Sequence, residues 1–342
     1  MSSNQCNKTQ INKNDKLEIK VAMELYSQQI KSILHEGGSV GKKSNLKEIT
    51  SYLSGSMGKG ARPLLLITAS SDNNGLVPED SVKAAVAIEL LHMATLVHDD
   101  VMDDAPTRRG IPAVHKKFDT KSAVICGDYL LSISLSILAE MDSTRAENHE
   151  YYSQFMPLAP HFSRVLSDIC KGEYSQHINT GNLDVNVLDY LRIISGKTAA
   201  LFYIAAYAGG ILGQESSNNS KDLGRFGWLL GMAFQIADDC KDYEWTEDMA
   251  LKPVANDIKN GVITLPLILA MQKDPLLRSA AKEIMANQGD LDAFIKAVRA
   301  SVGSKTAKDL AQRYVLRASQ SLRNIAPLKR EALLSILSQV KV

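Results

Sequence analysis

Two stretches of this 342-residue chain set the same problem for any fold, because each is a long apolar helix former that ends in a burst of aspartate. Residues 84–109 read AAVAIELLHMATLVHDDVMDDAPTRR, with Asp99, Asp100, Asp103 and Asp104 closing the run and Arg108 and Arg109 just beyond Pro106. At about 100° per residue, Glu89, His92, Leu96, Asp99 and Asp103 share one helix face. Carboxylates one turn apart repel by roughly 0.2–0.5 kcal/mol per pair. Burying them unpaired costs far more, and acids at a helix C-terminus oppose its dipole. A cation is expected there. Oxygen donors without cysteine suit Mg2+, which binds through one or two carboxylates and leaves its other positions to water and phosphate. Taken alone, the stretch also reads as a solvated helix end.

The second stretch weakens that plain reading. Residues 231–243, GMAFQIADDCKDY, repeat D-D-x-x-D at Asp238, Asp239 and Asp242, with Gln235 on the same face. If the two helices face each other, six carboxylates converge on one cavity. Such a density calls for several divalent ions and a polyanion to balance them, and a diphosphate bridging the metals is the natural candidate.

The remaining segments read almost entirely as helix. Aromatics are only 6% of the chain, and period-2 alternation is hard to find. The fold class is all-α, a single large layered helical bundle around a central cavity. Helices are predicted at 16–35, 45–54, 63–71, 84–104, 120–140, 147–178, 184–195, 197–213 and 222–244. Further ones follow from Thr264 and at 276–286, 290–302, 304–324 and 329–341, and the loop at 72–80 is expected to supply an N-cap. Residues 1–15, rich in Asn, Lys and Ser, are expected to be a disordered tail, and 16–342 one domain.

Composition excludes several functions. A net charge of +1 provides no basic field for nucleic acid. Cys6, Cys126, Cys170 and Cys240 show neither C-x-x-C pairing nor zinc spacing, so disulfides are not expected and a reducing cytoplasm fits. The N-terminus lacks the apolar core of a signal peptide. No apolar run approaches the roughly 18 residues that span a bilayer.

Basic residues stand at loop junctions beside the acidic runs. Lys59 and Arg62 lie in the Gly-rich connector SGSMGKGARP, which is not a P-loop. Lys197 and Thr198 open an apolar helix in SGKTAALF, and Lys252 and Lys259 lie in LKPVANDIKNGVITLP. Two consecutive arginines, Arg108 and Arg109, can each clamp a separate diphosphate, which hints at two phosphorylated substrates.

Assembled in order, GKGARP (58–63), LLHMATLVHDDVMDDAPTRRGIP (90–112), GDYLL (127–131), GKTAALF (196–202), FQIADDCKDY (234–243) and NDIKNGVITLPLI (256–268) resemble the trans-isoprenyl diphosphate synthases, the polyprenyl synthetase family. The resemblance implies Mg2+ bound by Asp99 and Asp103, with Asp100 beside them, and by Asp238, with Asp239 and Asp242 behind it. It implies that Arg108, Lys197 and Lys252 contact an allylic diphosphate. Lys59, Arg62, His92 and Arg109 would hold isopentenyl diphosphate, while Thr198 and Gln235 line the reacting centre. A homodimer is implied, or a catalytic subunit with a small heteromeric partner, with at most peripheral membrane contact for product release. The chain departs from the commonest family wording at Gly60, Leu251, Ala255 and Val262, none of which carries a role above.

Short-chain members tend to place an aromatic at the position of Ala94 or to insert residues within the first acidic motif, whereas here Ala94 and Thr95 are small and DDVMD has no insertion. The wording HMATLVHDDVMDDA is also most like medium- and long-chain bacterial enzymes, such as the catalytic subunit of heptaprenyl diphosphate synthase. A short-chain farnesyl or geranylgeranyl synthase is the alternative. An HD-type phosphohydrolase could use His98-Asp99, but His115, His149 and His161 offer poor further ligands and the second D-D-x-x-D would go unexplained. A terpene cyclase would leave Lys59, Arg62 and Arg109 idle. A non-catalytic subunit would not need both aspartate motifs.

Overall fold

Where a short strand or a turn competes with a helix in this chain, hydrogen bonding of the flanking backbone decides the outcome. In the computed structural model, which describes residues 16–37, 45–147, 156–244 and 256–341, the first element is extended. Lys16–Glu18 (β1) pairs antiparallel with Leu76–Pro78 (β2) in the register Lys16↔Pro78. The helix predicted from residue 16 therefore starts at Ile19. The tail at 1–15, Lys252 and His149 lie outside the described residues.

Helix α1 (Ile19–Glu36) buries Ala22, Tyr26, Ile30 and Leu34 along one stripe of i, i+4 spacing. Next come α2 (Asn45–Ser54), α3 (Ala61–Ala69) and the long α4 (Asp80–Met102). The loop before α4 does not supply the expected N-cap. Glu79 is already helical and no side chain caps the helix there. Asp72 instead accepts from the amides of Asn74 and Leu76, bending the chain into β2.

After α4, Thr107–Arg108 (β3) pairs with Ile111–Pro112 (β4) through a two-residue turn at Arg109 (φ 53°) and Gly110 (φ 82°). Positive φ at both central positions is what such a tight hairpin requires. The expected absence of strands is corrected by these two ribbons, which are too small to alter the all-α class. Then follow α5 (Val114–Lys117), α6 (Thr120–Glu147), α7 (Ala159–Ile178) and α8 (Val187–Ile194). A π-helical turn, Ser195–Ala199, leads into α9 (Ala200–Leu212). Helix α10 (Ser217–Lys241) begins earlier than expected because Ser216 caps it, accepting from the amide of Asn219. The chain closes with α11 (Asn256–Lys259), α12 (Leu265–Met271), α13 (Pro275–Met285), α14 (Leu291–Ala300), α15 (Val302–Ser321) and α16 (Pro327–Leu337).

Helix α9 is apolar nearly all round and is the centre of the layers, packed on α10, α3, α4 and α7. Outside it, α4 packs on α6 and α10 on α15. One apolar core runs through all of them, from Ala22 to Leu337. Among the described residues two helices, α4 and α6, are long and apolar enough to cross a membrane by length and composition, contrary to the reading of apolar runs. Ala, Ser and Thr interrupt those runs without lowering their mean hydropathy much. Most of α4 is enclosed by the core, whereas α6 buries one face and leaves Val124, Ile125, Ser132, Ser136 and Ala139 outward.

The contact of α9 with α10 is close because glycines line it. A Cβ on Gly227 would overlap the carbonyl oxygen of Phe202 and press on Ala206. Helix propensity favours Ala over Gly by about 1 kcal/mol, but overpacking a close backbone contact costs about 1–3 kcal/mol or more. The steric term is the larger. Because the Cβ would overlap a backbone oxygen, the steric cost sits at the upper end, and Gly227→Ala is expected to lower the unfolding free energy by a net ~2 kcal/mol in urea titration; an unchanged or raised midpoint would show that the two helices slide apart freely.

Candidate active site

The site is built on the π turn at Ser195–Ala199. One extra residue per turn widens the helix there and re-aims its side chains. The turn is pinned from behind by α7, where Gly172 and Gly196 meet. A Cβ on Gly172 would lie 2.5 Å from the Lys197 amide, and one on Gly196 would lie 2.7 Å from the Asp168 carbonyl oxygen. Trp228 adds an Nε1–H bond to Ser195 Oγ at 2.9 Å. Held in this way, the consecutive residues Lys197 and Thr198 reach the two acidic helix ends.

Lys197 serves the α4 end. Its ammonium pairs with Glu173 of α7 at 2.8 Å. Burial works against its charge, but Asp99, Glu173 and Asp103 together hold it above the ordinary lysine value. Asp99 is lifted to about 7, first by burial and then by the charges of Glu173 and Asp103, with Lys197 and Arg108 opposing. Asp103 is raised first by burial and then by Glu173 and Asp100, with Lys197 and Arg108 again opposing. Burial thus disfavours the charged form of both carboxylates more than Lys197 and Arg108 favour it.

Thr198 serves the α10 end. Its hydroxyl donates to Gln235 Oε1 at 2.7 Å, and Gln235 Nε2 donates to Asp239 Oδ1 at 2.7 Å. The other oxygen of Asp239 accepts from the buried Tyr190 hydroxyl at 2.5 Å. Burial raises Asp239 to about 7, with these two hydrogen bonds opposing and Asp238 and Asp242 adding. Arg299 of α14 donates to the carbonyls of Tyr243 and Glu244 at 2.8 and 2.9 Å, supplying the cation that the end of α10 needs.

A second group of cations occupies another side of α4. Glu89, His92, Leu96 and Asp100 line a cavity with Ser56, Gly58, Arg108 and Arg109. Arg108 forks onto Asp100, with Nη2 at 2.5 Å and Nε at 2.9 Å from Oδ1. Arg109 donates to the Ser56 carbonyl at 2.6 Å and lies over Gly58, where a Cβ would meet its guanidinium. Arg62 Nη1 donates to His92 Nε2 at 3.0 Å and lies 4.7 Å from the Phe202 ring centroid. Burial lowers Arg62 to about 10, opposed by Glu89 and helped by Arg109. His92 is pushed well below its ordinary value by burial and by Arg62, Arg109 and Arg108. The ring is therefore neutral, accepting at Nε2 and protonated at Nδ1. Arg62 Nε is buried without a hydrogen-bond partner among the described residues. An anion would satisfy it.

The structure thus separates the residues that helical spacing put on one face. Asp99 and Asp103 look toward Lys197 and Glu173, while Glu89, His92 and Leu96 look into the arginine cavity together with Asp100. Two of the six expected metal carboxylates, Asp100 and Asp239, are engaged by protein donors. Asp100 is 4% and Asp239 5% exposed, and each turns both oxygens to protein donors. Burial of the second aspartate of each pair is the physical reason, since a buried carboxylate takes the nearest donors. Among the described residues no three His, Cys, Asp or Glu side chains close on one point. No described residue hydrogen-bonds the Oδ atoms of Asp99, Asp103 or Asp238. Hard oxygen donors with surplus negative charge fit Mg2+. Lys59 is exposed, and Lys252 lies outside the described residues. Ala94, 2% exposed, sits on the seam with α6, between Ala87, whose carbonyl accepts from Ser134, and His98, which packs on Gly127. Thr95 turns its hydroxyl back to the His92 carbonyl. Sequence reasoning missed Glu173 and Tyr190. Each stands alone on an amphipathic helix, with no motif to mark it.

The family model for polyprenyl synthetase matches residues 43–302. Heptaprenyl diphosphate synthase component 2 of Bacillus subtilis is 32% identical over 283 residues, 82% of this chain and 77% of that one. Geranylgeranyl diphosphate synthase of Saccharolobus solfataricus is 34% identical over 291 residues, 83% of this chain and 86% of its own. The crystal structure of heptaprenyl diphosphate synthase from Staphylococcus aureus superposes with a TM-score of 0.81 at 30% identity, covering 95% of this chain and 98% of that one. The match takes in both acidic helices, the π turn between them and the arginine cavity, so this chain belongs to the polyprenyl synthetase family and is a prenyltransferase.

Proposed function

We propose that the protein adds isopentenyl diphosphate repeatedly to an allylic prenyl diphosphate, in 1'-4 trans condensations that build a medium- or long-chain polyprenyl diphosphate. The observation that carries this reading is the partition of cations around α4. One cation, Lys197, serves the acidic end at Asp99 and Asp103, and a separate set, Arg62, Arg109 and neutral His92, serves a second anion, with Arg108 held on Asp100 between them. Two diphosphate substrates held on different sides of one helix require this division.

Asp99 and Asp103 on one side, and Asp238 with Asp242 on the other, would hold Mg2+, which when bound neutralises the diphosphate leaving group. Lys197 donates to the allylic diphosphate as its carbon–oxygen bond breaks, a preorganised electrostatic contribution. Arg62, His92 and Arg109 hold isopentenyl diphosphate so that its double bond meets the allylic carbon. Gln235 Oε1 and the Thr198 hydroxyl face the carbon where positive charge develops. The departing diphosphate accepts the proton lost in elimination, so no histidine is needed as base.

The outward face of α6 carries no charge from Tyr129 to Ala139 and is mostly apolar or small. A second copy of the chain is the partner proposed for it. A small heteromeric subunit is the alternative, since the Bacillus relative is named as one component of a synthase. The cytoplasm is the proposed location.

Incubation with farnesyl diphosphate, labelled isopentenyl diphosphate and Mg2+ tests the reaction directly. Extractable labelled polyprenyl product is expected, and Asp99→Ala and Asp238→Ala should each lower turnover by at least ~1,000-fold, the scale of losing a principal electrostatic group. Absence of product, with or without a partner subunit, would sink the proposal. Ala94→Phe is expected to shorten the prenyl chain, read by chromatography of the dephosphorylated products; an active variant of unchanged product length would place the ruler elsewhere. Because Asp99 holds its proton up to about 7, metal must displace that proton at acid pH. Apparent Mg2+ affinity, measured calorimetrically without substrate, is expected to fall about tenfold between pH 8 and pH 6, and a flat profile would contradict the site. Sedimentation should give twice the 37.4 kDa chain mass, and Ile125→Asp should return it to the monomer.

A further inference from the structure

Tyr190 and Asp239 lie behind the reacting centre, and the proposed reaction gives neither of them a task. Tyr190 is 4% and Asp239 5% exposed, and Thr198 at the far end of the chain of hydrogen bonds is 7% exposed. The direction of each bond is fixed by chemistry. Asp239 accepts at both oxygens, from the Tyr190 hydroxyl and from Gln235 Nε2, so to the ionised carboxylate Gln235 must present its NH2 group. The opposite end of that amide, Oε1, must then point forward to Thr198, whose hydroxyl donates to it. Rotating the amide by half a turn would set its carbonyl oxygen against a carboxylate and its NH2 toward the place where an allylic cation forms. Tyr190 supplies the second donor to Asp239 from α8, across from α10, and so fixes the carboxylate plane. Without that bond the carboxylate has one anchor and can rotate away from Gln235.

We propose that Tyr190 and Asp239 are positioning residues that set the orientation of the Gln235 amide, so that its oxygen and not its nitrogen faces the developing positive charge. The proposal rests on the prenyl-transfer reading above. It assigns Asp239 a different task from Asp238 and Asp242: its oxygens are committed to Tyr190 and Gln235. It also accounts for a buried tyrosine hydroxyl on a helix that contributes no other group to the site. Asp100 stands in the same relation to Arg108 at the other acidic end, a carboxylate turned inward to hold a neighbouring side chain.

The test compares two ligands by calorimetry in the presence of Mg2+: an allylic thiolodiphosphate, which is neutral at the reacting carbon, and an ammonium analogue, which carries positive charge there. Binding of both by the wild-type protein establishes the underlying reading; failure to bind either would remove that reading and leave the orientation question without a subject. Tyr190→Phe is expected to weaken the ammonium analogue about tenfold and the thiolodiphosphate less than twofold, with kcat reduced and KM for both substrates nearly unchanged. Asp239→Asn, which lets the amide invert, should do the same more strongly. Combining Tyr190→Phe with Gln235→Ala should cost no more than Gln235→Ala alone, because both act through one amide. Equal weakening of both ligands in either variant would mean a general structural role, and unchanged selectivity in a folded variant would mean that the amide needs no such anchor. Either result overturns the proposal.

Discussion

Desolvated like charges govern this structure. Two apolar helices end in aspartates inside the protein, where burial, the largest of several effects, lifts Asp99 and Asp239 to about 7. Such ends persist only if donors are supplied from other elements, and each acidic end is provided in its own way. At α4 they are Lys197 and the fork of Arg108 on Asp100. At α10 they are Tyr190, Gln235 and the Arg299 cap on the carbonyls beyond the helix. In the proposed reading, a divalent cation and a diphosphate would complete the carboxylates left without protein donors, Asp99, Asp103 and Asp238. A site that is stable only in part without its ligand is poised to bind it.

The connection between the two ends is a local defect in helix geometry. An ordinary α-helical turn at 195–199 would project Lys197 and Thr198 in other directions; the π turn, pressed by the glycine contact with α7, spreads them to opposite clusters. Gly172 and Gly196 are thus functional through their lack of a side chain. The hairpin at Arg109 and Gly110 works in the same manner, spending two positive-φ residues to send Arg108 to Asp100 and Arg109 to the Ser56 carbonyl.

How far the sequence could be read depended on the type of signal. Long apolar stretches with acidic ends were legible because helical period and composition agree, and most helices lie within a few residues of their predicted positions. Short extended pieces such as Lys16–Glu18 were not, since their pairing with Leu76–Pro78 is settled sixty residues away in sequence. The same holds for side-chain direction. Five residues on a nominal helix face divide between the arginine cavity and the Lys197 side once the neighbouring elements close on α4, and Asp100 joins the group from which spacing had left it out. Glu173 and Tyr190 act only through residues on other helices, so no local pattern announces them. The resemblance to isoprenyl synthases carried the assignment of roles, and packing alone revealed which aspartates are committed to protein partners.

The central claim is that α4 divides two diphosphates, one between the acidic helix ends at Lys197 and one among Arg62, His92 and Arg109. Its most direct test is a crystal structure with Mg2+, isopentenyl diphosphate and an allylic thiolodiphosphate bound together. The expected result is the thiolodiphosphate between Asp99, Asp103 and Asp238 through metal, and the second diphosphate against the arginine cavity with Arg62 Nε engaged. Both diphosphates on the same side of α4, or metal bound through Asp100 and Asp239, would contradict it.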